Sequence, residues 1–229
     1  MRVAALVLAA GRGERLGAGV PKALLQIGGR PLLARAVEAL AACAEIAVIV
    51  PVVPAAERAQ CAEILHGMDR VAEPVAGGAE RQDSMRAGLA ALAPDVELVA
   101  VHDAARPLVR AGDVARVIAA ARRRGAALLA VPVRDTLKRV RDGCVAETLP
   151  RAACWAAQTP QVFRIELLRE ALAKAEAEGF QGTDDAQLVE RLGVPVEVVE
   201  GDPRNLKITW PEDVELAEAL LARGARERA

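Results

Sequence analysis

Apolar residues along this chain come in two alternating rhythms: short continuous runs rich in Val, Ile, Leu and Ala, and longer stretches with apolar positions three or four residues apart. The first rhythm belongs to strands buried on both faces, the second to amphipathic helices. Val3–Ala9 is a continuous run and predicts a buried strand. Pro31–Cys43 predicts a helix, with Leu33, Val37 and Leu40 on one face and Pro31 in its first turn, where a missing N–H costs nothing. Ile46–Val53 is a β-branched strand closed by Pro51 and Pro54, and Ala55–Leu65 is helical. A weak strand at Val71–Val75 leads into Ala76-Gly77-Gly78. Gln82–Leu92 is a helix with Met85, Leu89 and Leu92 in register. Strand Leu98–His102, helix Val114–Arg123 and strand Ala126–Val131 complete the regular part. Repeated βαβ units predict one α/β domain over residues 1–229, a Rossmann-like, doubly wound, mostly parallel sheet with helices on both faces.

The rhythm then breaks. Val133–Val140 and Val145–Leu149 flank Arg141-Asp142-Gly143, and an Asp-Gly turn between two strand-like runs is a hairpin signal, not a crossover. A hairpin polar on both sides does not stand alone. Residues 133–151 are therefore expected to project as an arm that packs on a second subunit, a surface excursion of a monomer being the alternative. Arg164–Glu178 and Thr183–Leu192 resume as helices, Val196–Glu200 and Lys207–Thr209 as short strands, and Pro211–Ala222 as a last helix with Glu212 and Asp213 at its positive end.

Composition narrows the chemistry. Aromatic residues are 2% of a chain that is 53% hydrophobic, so the core is aliphatic, as buried parallel strands require. Thirty basic residues stand against 31 acidic ones, which argues against a nucleic-acid partner. The cysteines, Cys43, Cys61, Cys144 and Cys154, show no metal-ligand spacing and are expected as reduced thiols in a cytoplasmic protein. The first apolar run is too short to span a membrane.

The richest local chemistry follows the first strand. Gly11 to Lys22 carries glycines, arginines and a lysine without apolar periodicity. A glycine-rich cationic loop at a strand end offers backbone N–H groups and positive charge to phosphates. Its spacing excludes two common phosphate loops. A dinucleotide fingerprint from Gly11 needs glycine where Leu16 stands, and a Walker A loop needs Gly-Lys-Ser/Thr where Pro21-Lys22-Ala23 stands. Two more polar clusters follow strands, Gly77–Ser84 and Asp103–Arg106, and ligands of such sheets bind beyond the carboxyl ends of the strands.

Taken together, the motifs are selective. Ala9-Ala10-Gly11-x-Gly13-x-Arg15 with Pro21-Lys22 is the signature of the sugar nucleotidyltransferase superfamily. Gly77-Gly78 with Glu80-Arg81-x-x-Ser84, His102-Asp103-Ala104-Ala105-Arg106-Pro107, Pro132 to Lys138, Thr159-Pro160-Gln161, Thr183-Asp184-Asp185 and Asn205 to Thr209 follow in order. Over essentially its whole length the chain resembles the 2-C-methyl-D-erythritol 4-phosphate cytidylyltransferase family. The resemblance implies transfer of CMP from CTP to that alcohol phosphate with release of pyrophosphate, an accompanying divalent cation such as Mg²⁺, and a homodimer whose arm reaches the neighbouring site.

It also implies roles. Arg15 and Lys22 are expected to stabilise the transition state, with Arg151 and Lys207 positioning the alcohol phosphate. Ala9, Ala10, Gly11, Gly13, Gly77, Gly78, Ser84, Asp103 and Ala104 are expected around the nucleotide, and Asp103, Arg106, Thr136, Thr183 and Thr209 around the alcohol. Thr136 and Arg151 would come from the partner subunit. Asp103 is open between ribose, metal and alcohol, with capping of the following turn as its ordinary role. Arg12 is expected to be solvated, and His102 to be packed or hydrogen-bonded. Thr183 has helix capping as its alternative, and Thr159-Pro160-Gln161 is compatible with a site loop or a turn. Ala79 stands where the family often has Asp, which leaves a backbone contact to the base but no carboxylate. Competing functions are a cytidylyltransferase for ribitol 5-phosphate or a related polyol phosphate, and a nucleotide-binding protein without catalysis.

Overall fold

The computed structural model describes residues 1–11 and 20–226. In chain order the strands and helices are β1 (Arg2–Leu8), β2 (Gln26–Ile27), β3 (Arg30–Pro31), α1 (Leu32–Ala41), β4 (Ile46–Val53), α2 (Arg58–Leu65), β5 (Val75–Ala76), α3 (Arg81–Ala90) and β6 (Val96–Asp103). They continue as α4 (Ala111–Arg124), β7 (Ala126–Pro132), β8 (Leu137–Arg141), β9 (Cys144–Leu149), β10 (Trp155–Arg164), α5 (Ile165–Ala177), α6 (Asp185–Glu190), β11 (Glu197–Glu200) and α7 (Pro211–Arg226). A 3₁₀ turn at Lys22–Leu24 precedes β2. No helix among the described residues is long and apolar enough to cross a membrane.

Seven strands form the main sheet in the order β11-β7-β10-β6-β1-β4-β5. Because side chains alternate across a strand, each central strand feeds two cores. Val3, Ala5 and Val7 of β1 pack with residues of α1, α2 and α4 on one face. Ala4 and Leu6 pack with α3, α5 and α6 on the other. This is the doubly wound arrangement expected from the apolar runs. A third, smaller core of Ile27, Leu32, Ile208 and Ala217 seats α7 against β2 and α1.

The main correction concerns β10, which the sequence reading did not foresee. It runs antiparallel between β6 and β7, while every other pairing of the sheet is parallel. Polar Gln158, Thr159 and Gln161 and an internal proline disguise it, since proline demotes a strand. The register shifts between Ala157 and Gln161, so the ladder is interrupted where Pro160 lacks an N–H. The polar residues are nonetheless buried, and all three are hydrogen-bonded. A second correction is that Lys207–Thr209 is no strand; it is an irregular segment tied to the domain by the Ile208 N–H donating to the Ala105 carbonyl at 2.8 Å. The weak strand at Val71–Val75 reduces to a bridge between Val71 and Ile49 plus β5.

The Asp-Gly hairpin forms as β8 and β9, a separate two-stranded sheet whose turn uses positive φ at Asp142 and Gly143. Val133–Thr136 lies outside β8.

The wiring of the sheet locates the site. From β1 the chain crosses through α1 to β4 on one side; from β6 it crosses through α4 to β7 on the other. Between β1 and β6 the winding reverses, which opens a crevice at their carboxyl ends. Leu8 and Asp103 are register partners there.

Candidate active site

A cleft of about 530 Å³ opens at that switch point. Its floor is the backbone leaving β1, Ala9 to Gly11, beside Ala104 and Ala105 leaving β6. Lys22 lines one wall from its 3₁₀ turn, Gly78 to Arg81 and Ser84 line another, and Lys207 and Thr209 line a third.

At the centre stands Asp103. Its carboxylate accepts from Arg81 Nη1 at 2.6 Å on one oxygen and from Lys207 Nζ at 2.8 Å on the other. Burial pushes the carboxyl's pKa upward, but the two cations outweigh that and hold it well below the usual carboxylate range. Asp103 is therefore an anion at every physiological pH. Arg81 is itself clamped by Asp185, with Nε at 3.1 Å from one oxygen and Nη2 at 2.7 Å from the other. Burial alone would lower the Arg81 pKa; Asp185 and Asp103 together raise it.

Strand β10 supplies the support behind Asp103. The Asp103 N–H donates to Thr159 Oγ1 at 3.0 Å. The Thr159 hydroxyl therefore gives its own proton to His102 Nδ1, also at 3.0 Å, and His102 Nε2–H donates to the Arg106 carbonyl. Both ring nitrogens are used by the neutral tautomer, and burial holds the His102 pKa down to about 4. His102 is thus a packed, hydrogen-bonded residue. Asn205 ties the Lys207 segment to the same strand, donating to Gln158 Oε1 at 3.1 Å and to the Thr159 carbonyl at 3.0 Å.

The Gly77–Ser84 wall has little freedom. The Gly77 N–H donates to the Val53 carbonyl and the Gly78 N–H to Ser84 Oγ. A Cβ on Gly77 would stand 2.6 Å from Ala10 Cβ, and one on Gly78 only 2.3 Å from Asp83 Cβ. Only backbone fits at this edge. The Glu80 N–H donates to Asp83 at the start of α3, which fixes where Arg81 leaves the helix.

Comparison with known proteins gives the family. Residues 3–223 match the family model described as 2-C-methyl-D-erythritol 4-phosphate cytidylyltransferase. The chain belongs to this family. Proteins of that name from Geobacillus kaustophilus and Geobacter metallireducens are 46% and 47% identical, over 97% and 96% of this chain and 98% of each relative. The crystal structure of the cytidylyltransferase from Thermus thermophilus is 41% identical, with a TM-score of 0.79 over 96% of this chain and 98% of that one. A 4-diphosphocytidyl-2C-methyl-D-erythritol synthase from Anaerococcus prevotii superposes with a TM-score of 0.87 at 32% identity, covering 96% of each chain.

The residues expected from the cytidylyltransferase motifs fall into three groups. Ala9, Ala10, Gly11, Lys22, Gly78, Ser84, Asp103, Ala104, Lys207 and Thr209 line the cleft, with Gly77 directly behind its edge. Arg106, Thr183, Thr136 and Arg151 do not line it. Arg106 instead donates to the Asn205 and Ala157 carbonyls at 2.7 and 3.1 Å, clamping β10 to the Lys207 segment. The Thr183 hydroxyl donates to Gln187, and the cap of α6 is Asp184. Arg151 donates to the Arg134 carbonyl at the base of the hairpin. Gly13, Arg15 and the neighbouring Arg12 lie outside the described residues. Motif reading missed the roles of Arg81, Thr159, Asp185 and Asn205. All four stand in quoted motifs, but only contacts across distant segments reveal what they hold.

Proposed function

We propose that this chain transfers a cytidylyl group from CTP to 2-C-methyl-D-erythritol 4-phosphate, giving 4-diphosphocytidyl-2-C-methyl-D-erythritol and pyrophosphate in isoprenoid precursor synthesis. The observation that carries the reading is the cleft itself: in a chain of this family, Lys22, Arg81 and Lys207 line one cleft at the switch point of the sheet, with Arg81 and Lys207 both on the Asp103 carboxylate.

A phosphate monoester oxygen attacks the α-phosphorus of CTP, and the bond from that phosphorus to the bridging oxygen breaks as pyrophosphate leaves. Both reactants are anions, so positioning and charge stabilisation are the work to be done, and no covalent nucleophile is needed. Backbone N–H groups at Ala10 and Gly11 face the triphosphate. Lys22, with Arg15 beyond the described residues, stabilises charge developing on the phosphoryl oxygens. Lys207 exchanges its contact with Asp103 for the incoming phosphate and draws the nucleophile to the α-phosphorus. The closed edge at Gly77 and Gly78 presents backbone carbonyls to the cytosine amino group, which uracil lacks; the methyl of Ala79 offers no competing contact.

The reaction would use a divalent cation such as Mg²⁺ that accompanies CTP. Mg²⁺ is commonly held by one or two carboxylates together with substrate phosphates. No group of three or more potential protein ligands occurs among the described residues. The Asp103 carboxylate lines the cleft and would be the protein ligand of a cation carried by the triphosphate. Such an ion would neutralise phosphoryl charge, and Asp103 would hold it at the strand end.

The working unit is a homodimer joined through the hairpin. Val140 and Val145 expose apolar surface on the arm and Trp155 at its base, and Arg151 sits away from its own cleft. In that assembly Arg151 and Thr136 complete the partner's site. The cytoplasm supplies CTP and the phosphorylated alcohol, and the enzyme works there. Pyrophosphate release measured with CTP and either 2-C-methyl-D-erythritol 4-phosphate or ribitol 5-phosphate tests the reading. Turnover is expected with the first; equal or faster turnover with the second, or none with either, overturns it.

A further inference from the structure

Behind Asp103 lies a layer of charge that the transfer just described does not use. We propose that Asp185 is a positioning residue for the cytidylyl transfer: by occupying two nitrogens of Arg81 it keeps the third on Asp103, and so fixes where that carboxylate meets Lys207. The inference rests on the proposed function.

The guanidinium is a planar fork of five N–H donors. One edge of the Arg81 fork, Nε and Nη2, is taken by both oxygens of Asp185 at 3.1 and 2.7 Å, and Nη1 reaches Asp103 at 2.6 Å. Asp185 is only 1% exposed, so this pair is shielded from water. Its own place is fixed by β10: Gln161 donates to Asp184 and accepts from the Ala186 N–H at 2.8 Å, seating the start of α6 on either side of Asp185. One short stretch of β10 therefore locates both carboxylates, Asp103 through Thr159 and Asp185 through Gln161.

The two cations on Asp103 differ in consequence. The Lys207 side chain is 45% exposed and stands on an irregular segment. Its ammonium is a point charge on a flexible stem, free to move to a phosphate. Arg81 lines the same cleft and carries the same charge, yet the fork on Asp185 prevents it from following. Without Asp185, a triphosphate in the cleft would pull Arg81 off Asp103, and Asp103 would lose its fixed orientation as Lys207 departs.

The test uses Asp185→Asn, which keeps the shape and removes the charge, with Arg81→Lys, which keeps a charge but cannot span both carboxylates, and the double variant. Steady-state rates, CTP stoichiometry by calorimetry and the exchange of the Arg81 Nε–H by NMR are measured on each folded chain. For Asp185→Asn, kcat is expected to fall about tenfold, with KM for CTP within about twofold and an unchanged stoichiometry, so that lost rate is not lost fold. The double variant is expected to be no slower than the slower single one, since both changes break one unit. The Arg81 Nε–H is expected to exchange slowly in the unmodified chain, with and without CTP, and fast in Asp185→Asn. Additive losses, an unchanged rate, or a freely exchanging Nε–H in the unmodified chain overturns the inference. If Asp185→Asn does not fold, Arg81→Lys and the exchange measurement on the unmodified chain decide it. An unmodified chain that releases no pyrophosphate sinks the functional reading instead, and the Arg81 exchange then decides the placement of Asp185 by itself.

Discussion

The cleft and the arm are built from similar charged residues and behave in opposite ways. In the cleft, Arg81 joins α3, β6 and α6 through two carboxylates with 9% and 1% side-chain exposure. On the arm, Arg139 and Glu147 pair at 2.7 Å across β8 and β9 with about half of each side chain in water. A buried pair is costly to break because it strands a charge, whereas an exposed pair contributes between about 0 and 1 kcal/mol. The cleft is thus determined from several directions by its own chain. The arm is determined only by its two strands, and its exposed valines leave it a surface in search of a neighbour.

Substitutions that separate these regions come first. Lys22→Ala removes a cation from the cleft wall and leaves the core untouched. Its kcat is expected to fall by about 10²- to 10³-fold with the melting temperature unchanged; a loss under threefold in a pyrophosphate assay would place Lys22 outside the chemistry. Phe163→Ala acts through the fold. Phe163 is fully buried in β10, and its truncation is expected to cost about 3–5 kcal/mol in urea unfolding. Arg139→Ala on the arm, which breaks only the exposed pair with Glu147, should cost less than about 1 kcal/mol in the same experiment.

A pH titration sharpens the contrast further. His102 is held down to about 4 in the folded chain against an ordinary 6.5. The unfolded chain therefore binds the extra proton between those values, and the His102 contribution, full above pH 6.5, is lost as pH falls through 4. The loss amounts to about 3 kcal/mol. It should be visible as a drop in urea midpoint between pH 7 and pH 4 that His102→Gln reduces. An identical drop in the variant would show that the imidazole is not the group responsible.

The smallest effect concerns the arm. Lys22→Ala and Arg151→Ala, each inactive alone, should recover about a quarter of the unmodified rate when mixed and re-associated in equal amounts. Half of the dimers are then mixed, and each holds one intact site. No recovery, with exchange of subunits verified, would place Arg151 in its own chain's site.

What the sequence revealed follows the same division. The strands β1, β4 and β6 and their helices were legible because aliphatic runs buried on both faces have no other use. The cleft's rim was legible because Gly11, Lys22, Gly78, Asp103 and Lys207 belong to compact motifs. Strand β10 was not, because Gln158, Thr159, Pro160 and Gln161 look like a loop until their partners in β6, α6 and the Asn205 segment are known. The resemblance places Arg106 around the alcohol; what the motif did not reveal is that its guanidinium also bonds to the Asn205 and Ala157 carbonyls. Short-range spacing reports strand ends and turns; it does not report which distant segments share a buried charge.

A crystal structure of the chain with CTP tests the central claim most directly. The triphosphate should lie on the backbone of Ala10 and Gly11 with Lys22 on its oxygens, the base against Gly77 and Gly78, and Arg81 still on Asp185. A triphosphate bound away from Lys22 and Asp103 would contradict the claim.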